Sequence, residues 1–225
     1  MTLGRDGENA GLLEAREIAM GLARRLALLL LPIALAVAPI AIGQTAESPV
    51  AADSLRGQLL VAEPELDDSN FDHTVVLLLQ HGPDGAQGIV LNRPYGTAPT
   101  AELLRRLGQK GDGVQGETRL FYGGPVQPEV GVVLHGTDYA LADTRQITAD
   151  LAVTSNPAVL KDLATGRGPR QALPILGYAG WGPGQLESEL AQGAWFTIAP
   201  DPALIFTPEP GRMWERALAR KGVEL

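Results

Sequence analysis

Residues Phe71–Pro94 read FDHTVVLLLQHGPDGAQGIVLNRP. Two apolar runs, Thr74–Leu79 and Gly88–Leu91, flank His81-Gly82-Pro83-Asp84-Gly85. Consecutive Val, Ile and Leu bounded by turn residues spell strands buried on both faces. Between them, proline fixes one φ, aspartate can cap the turn, and glycine admits a positive φ. The stretch therefore predicts a β-hairpin at the centre of the fold.

Outward from that hairpin the pattern stays rich in strands. Leu59–Ala62 precedes it, beyond the acidic loop 63–70; Leu120–Tyr122, Val130–His135, Ile147–Thr154, Ala172–Leu176, Trp195–Ile198 and Leu204–Phe206 follow. Helices are predicted over 99–107, stopped by Gly108, and from Asn156-Pro157 to Gly166. Two more cover 185–192, with Leu186 and Leu190 one turn apart, and the C-terminal segment after Thr207-Pro208. Strands outnumber helices and several are joined by tight turns. That predicts an α+β single domain with a mostly antiparallel sheet, not a doubly wound parallel one.

The 225 residues contain no cysteine, which removes thiol nucleophiles, thiolate zinc sites and disulfides. The formal net charge is −8. From Asp53 onward 14 Lys and Arg stand against 21 Asp and Glu, a balance of −7. Nucleic-acid binding draws on a basic surface, so nucleic acid is disfavoured as a partner.

Leu26–Ile42 is apolar throughout, follows Arg24-Arg25, and leads to the small residues Ala41 and Gly43. A basic region, an apolar run and small residues before a cut describe a secretory signal peptide. Cleavage after Gly43 is expected, or else after Ala46. The run is shorter than the roughly 20 residues of a membrane span, and Pro32 and Pro39 interrupt it. An uncleaved anchor is the alternative, and the only route by which the chain would touch a membrane. Residues 1–19 carry Asp6, Glu8, Glu14 and Glu17, out of place in such a leader, so translation is expected to start at Met20. The chain thus divides into an extension over 1–19, a signal or anchor over 20–43, a linker over 44–54 and one domain over 55–225.

The sequences GQLLVAEPELDDSNFDHTVVLLLQH from Gly57, GAQGIVLNRP from Gly85 and FYGGPVQPEVGVVLH from Phe121 come in order along the domain. They are followed by GYAGWGPGQLESEL from Gly177, AWF from Ala194 and WERALARKG from Trp214. In these stretches the chain resembles the YqgE/AlgH family of bacterial proteins, collinearly over nearly the whole domain. The resemblance implies an α/β domain around a strongly curved or barrel-like sheet. It brings a label, transcriptional regulator, without a recognised DNA-binding element. It also implies a cytoplasmic location, whereas the apolar run implies the periplasm or a membrane attachment. Glu63 stands where the family has a nonpolar residue.

Candidate chemistry is sparse. Of the three histidines, His73 and His81 lie about 26 Å apart along one strand at roughly 3.3 Å per residue, too far to share a metal. His81 and His135 end strands, where they could meet Asp67, Asp68 or Glu129 as a metal or acid–base site. Asn92-Arg93 and Tyr122-Gly123-Gly124 offer donors and close backbone approach just past strands, where loops carry function. With Trp181 and Gln185 of the glycine-rich segment 180–185 they outline a cleft for a small ligand or a protein. The competing reading has Arg93 paired with a carboxylate such as Asp67 or Asp68. A phosphate cradle before residue 185 is opposed by Glu187 and Glu189 in the first turns. No nucleophile elbow is present. The sequence thus favours a non-enzymatic binding or regulatory protein with no cofactor and no assigned catalytic residue. The alternatives are a hydrolase using His81 or His135 with a carboxylate, and a transcriptional regulator.

Overall fold

The computed structural model describes residues 54–222. The leader, the extension and most of the linker read from the sequence lie outside these residues. The described chain is one α+β domain built on a curled, mostly antiparallel half-barrel sheet. Its strands are β1 (Leu59–Ala62), β2 (Val75–Gly82), β3 (Gly85–Val90), β4 (Pro94–Pro99) and β5 (Glu117–Tyr122), then β6 (Val126–Gly136), β7 (Arg145–Gln146), β8 (Leu151–Thr154), β9 (Ala172–Trp181) and β10 (Trp195–Ile198). The helices are α1 (Thr100–Arg106), α2 (Ala158–Ala164), α3 (Gln185–Ala191), α4 (Pro202–Ile205) and α5 (Met213–Leu218), with a 3₁₀ turn at Pro210–Arg212.

The hairpin of β2 and β3 is central as expected, and its turn is tighter than the sequence implied, with His81, Gly82 and Gly85 inside the ladder. Both faces of β2 are buried. Val75, Leu77 and Leu79 enter the main core, while Val76 and Leu78 enter a second core on the opposite face. Period-two alternation serves two cores at once, which is why the run reads as continuously apolar. Each fully buried Val or Leu here contributes about 1.5–3 kcal/mol. The main core is closed by Leu204 and Ile205 of α4 and by Met213 and Ala217 of α5; the second is closed by Leu186 of α3 with Trp181 and Trp195.

The sheet runs β10-β1-β2-β3-β9-β6-β8-β7, with β4 and β5 branching from β9. β9 is the shared strand. Its first half pairs antiparallel with β6 and parallel with β5, and its last three residues pair with β3. Gly177, at φ +74, sits between the two halves.

Three readings change, and β4 is an added strand. Ala172–Leu176 does not end at Gly177; the strand continues to Trp181, because edge partners on β3 take up the backbone of Ala179, Gly180 and Trp181. Pro94 opens β4, which tolerates Pro94 and Pro99 by pairing only with β5. Leu204–Phe206 is not a strand: Asp201 accepts the Ala203 N–H at 2.8 Å and Pro202 takes the first helical position, so α4 forms. The segment 147–150 is a turn between β7 and β8, closed by Ile147 N–H to the Leu151 carbonyl.

Candidate functional site

The polar residues singled out by the sequence fall into two groups. At the end of β3, the buried Asn92 accepts the Val75 N–H at 3.0 Å and donates to the His73 carbonyl at 2.8 Å. Its neighbour Arg93 donates to the Asp72 carboxylate at 2.6 Å and to the carbonyls of Asp72 and Ser69 at 2.9 and 3.3 Å. These bonds hold the loop before β2 in place, including His73 at φ 52, a conformation a non-glycine residue adopts only when surrounding contacts enforce it. The carboxylate that meets Arg93 is thus Asp72, not Asp67 or Asp68; Asp68 caps Asn70 instead.

Tyr122, Gly123 and Gly124 lie beside Arg93. The Tyr122 N–H donates to the Arg93 carbonyl at 2.9 Å. Burial pushes the Tyr122 phenol up, against the opposing pull of the Arg93 charge. A Cβ on Gly123 would collide with the Gly177 carbonyl, and one on Gly124 with the Tyr178 backbone, so both glycines admit β9 itself.

Trp181 and Gln185 form the second group, against α3. Glu189 accepts both indole N–H groups, of Trp181 and Trp195, on one oxygen at 2.9 Å and the Gln185 amide on the other at 2.9 Å. Gln185 also accepts the Gly182 N–H at 3.0 Å. The two groups are joined through the loop that Arg93 holds, whose Phe71 stacks on Trp181 with ring centroids 6.2 Å apart.

The histidines do not converge, since β3 and β9 intervene between β2 and β6. His81 accepts the Leu55 N–H on Nδ1 at 3.1 Å, which places its proton on Nε2, 3.0 Å from Glu187 Oε1. His135 is fully buried; its Nδ1 faces the Gly136 carbonyl at 2.7 Å, and its Nε2 has no hydrogen-bond partner. Leaving such an acceptor unsatisfied costs about 1–3 kcal/mol. Among the described residues no cluster of three or more His, Asp or Glu side chains could hold a metal.

An apolar groove was not legible in the sequence. It has a volume of ≈ 770 Å³ and lies between β4 with α1 on one side and the β8–α2 connection on the other. Leu120, Leu176, Gly131 and Val133 form its floor, and Leu103, Leu107, Val159 and Leu160 its walls. The exposed large apolar residues among those described are Tyr95 at 69%, Leu107 at 48% and Val130 at 43%. Tyr95 and Leu107 line the groove, and Val130 stands between its lining residues Glu129 and Gly131. Of the candidate residues named from the sequence, Glu129 lines the groove, and Tyr122 shares a cross-strand row with the lining residues Leu176 and Gly131.

The curled, mostly antiparallel half-barrel with a few helices is the α+β fold of the AlgH-like proteins. The chain belongs to the AlgH-like family, whose model matches residues 59–225. It is 43% identical to a UPF0301 protein of Methylococcus capsulatus over 75% of this chain and 92% of the relative. A UPF0301 protein of Afipia carboxidovorans is 42% identical over 76% of this chain and 85% of its own. In structure, the chain is similar to the AlgH protein from Pseudomonas aeruginosa, with a TM-score of 0.65 and 38% identity, covering 80% of this chain and 94% of that one. A Corynebacterium diphtheriae protein shares the fold at a TM-score of 0.60 and 21% identity, covering 75% of this chain and 87% of that one.

Proposed function

We propose that this chain is a non-enzymatic binding protein that takes up a small, mostly apolar molecule along the groove between α1 and α2. The observation that carries the reading is that Tyr95 and Leu107, two of the three large apolar side chains left exposed among the described residues, line one concavity of ≈ 770 Å³ together with Leu103, Val133, Val159 and Leu160 of the small core that includes Leu104. Concave, apolar sites of this size are where small ligands bind. The polar groups around Arg93 and Glu189 are engaged with the protein's own backbone and side chains, and so support it less as contacts for a ligand. A hydrolase would rest on His81 and Glu187, but both imidazole nitrogens of His81 are engaged. We place the protein in the cell envelope on the strength of Arg24-Arg25 and the run Leu26–Ile42.

Titration with the neutral fluorescent probe N-phenylnaphthylamine tests the groove. The full chain is expected to show saturable enhancement, weakened at least about tenfold in the double variant Tyr95→Glu, Leu107→Glu, which introduces charge at two residues lining an apolar site. Arg93→Ala is expected to bind within about twofold of the parent, because the groove is not lined by Arg93. Absence of saturable binding by the parent, or equal binding by the double variant, would reject the groove.

A further inference from the structure

The floor of the groove points to a polar end. Strand alternation puts Gly131, Val133 and His135 on one face of β6, while Val132 and Leu134 turn to the main core. Gly131 and Val133 line the groove, and His135 is the next residue in that row, about 7 Å further along the strand. Its ring meets Tyr139 edge-on at 5.6 Å, and Tyr139 packs on the small core of Val133, Val159 and Leu160, three residues that also line the groove.

The chemistry of this end is specific. A carbonyl only accepts, so the contact with the Gly136 oxygen fixes the His135 proton on Nδ1 and leaves Nε2 as a bare acceptor. The hydroxyl of the neighbouring Tyr139 does not serve it, donating instead to Asp162 at 2.8 Å. Nε2 is therefore a fully buried acceptor without a donor, behind the wall of an apolar groove.

We propose that the groove takes a neutral amphiphile, with its apolar body along Leu103, Leu107 and Leu176 and a hydroxyl or amide N–H head donating to His135 Nε2. The inference rests on the groove being the binding site. His135 itself does not line the groove, so this contact requires the buried side chains of Val159 and Leu160, which do, to turn aside on binding. A carboxylate or phosphate head is disfavoured twice: it would set acceptor against acceptor, and of the charged lining residues Arg106 is already paired with Glu102, leaving Glu129 unbalanced on a chain with a net charge of −8. A plain hydrocarbon would leave Nε2 without its partner.

The test compares decanol with methyl nonyl ether, of equal heavy-atom number but lacking the donor, on the isotope-labelled full chain. Binding is followed by calorimetry, and the His135 ring nitrogens by long-range proton–nitrogen correlation. Decanol is expected to move the Nε2 resonance upfield while Nδ1 stays protonated. The ether is expected to bind about tenfold more weakly without that shift, as for one lost hydrogen bond. His135→Phe, which keeps a ring and removes the acceptor, is expected to bind both molecules alike. Equal binding of both by the parent with Nε2 unmoved would overturn the inference and leave the groove standing. Binding of neither would overturn both.

Discussion

The loop knot at Asn92-Arg93 and the groove beside α1 lie on neighbouring parts of the same sheet and use opposite materials. The knot is polar, sits among turns, and spends its donors and acceptors on the protein's own chain. The groove is mostly apolar, is built from seven separate elements (β4, α1, β5, β6, β8, α2 and β9), and leaves Tyr95 and Leu107 in water. A polar side chain beside a turn has local backbone to satisfy, so its presence is explained by folding alone. An apolar side chain left in solvent on a concave surface has no such internal explanation. In this molecule the apolar residues are the better guide to binding.

That contrast can be broken by measurement. The largest effect is expected from Asn92→Ala, which strands the Val75 N–H and the His73 carbonyl together and should lower unfolding stability by roughly 3 kcal/mol in urea. Glu189→Leu removes the acceptor shared by two indoles and is expected to cost about 2 kcal/mol, with altered tryptophan fluorescence; Glu189→Gln, keeping one acceptor oxygen, should cost less. A third measurement concerns the wall behind the groove. Burial, together with donation to Asp162, pushes the Tyr139 phenol up from 10.0 to about 12. Because the folded state favours the neutral phenol, its contribution is complete below pH 10.0 and is lost as pH rises toward about 12. Denaturation across that range should show stability falling with pH, and Tyr139→Phe should flatten the fall. The smallest effect belongs to the groove: Leu107→Ser should change stability by no more than about 0.5 kcal/mol while weakening probe binding. Were Leu107→Ser to cost more than Asn92→Ala, the division between knot and groove would collapse.

What the sequence disclosed follows the same division. The β2–β3 hairpin was legible because both of its faces are buried, and the antiparallel character followed from short turns. β4 was hidden by Pro94 and Pro99, which signal a break locally but are tolerated on a strand with one partner. α4 was read as a strand because Leu204, Ile205 and Phe206 were weighed without the cap at Asp201 that starts a helix two residues earlier. The continuation of β9 past Gly177 depends on partners from β3, some ninety positions away, and glycine-rich sequence alone spells a loop. Arg93 reads from the sequence as a ligand contact, with a carboxylate such as Asp67 or Asp68 as the competing partner; the carboxylate it meets is Asp72, chosen by the loop's path and not by any local pattern. The groove could not be read at all: Tyr95, Leu107, Val133 and Leu160 come to line one concavity only once the sheet has curled. The missing partner of His135 is likewise a property of packing.

The shared strand β9 has a consequence for how this chain comes to be folded. The inner edges of β3, β5 and β6 all await a segment that begins at Ala172, and β1 awaits β10, which begins at Trp195. A nascent chain emerging from the ribosome therefore cannot close its sheet until most of it has been made. Until then it carries unpaired strand edges and the apolar run of β2, which favour association between chains. Closing such distant pairings is slow. Such a topology predicts a long interval between synthesis and native structure, in which a holding chaperone has something to grip.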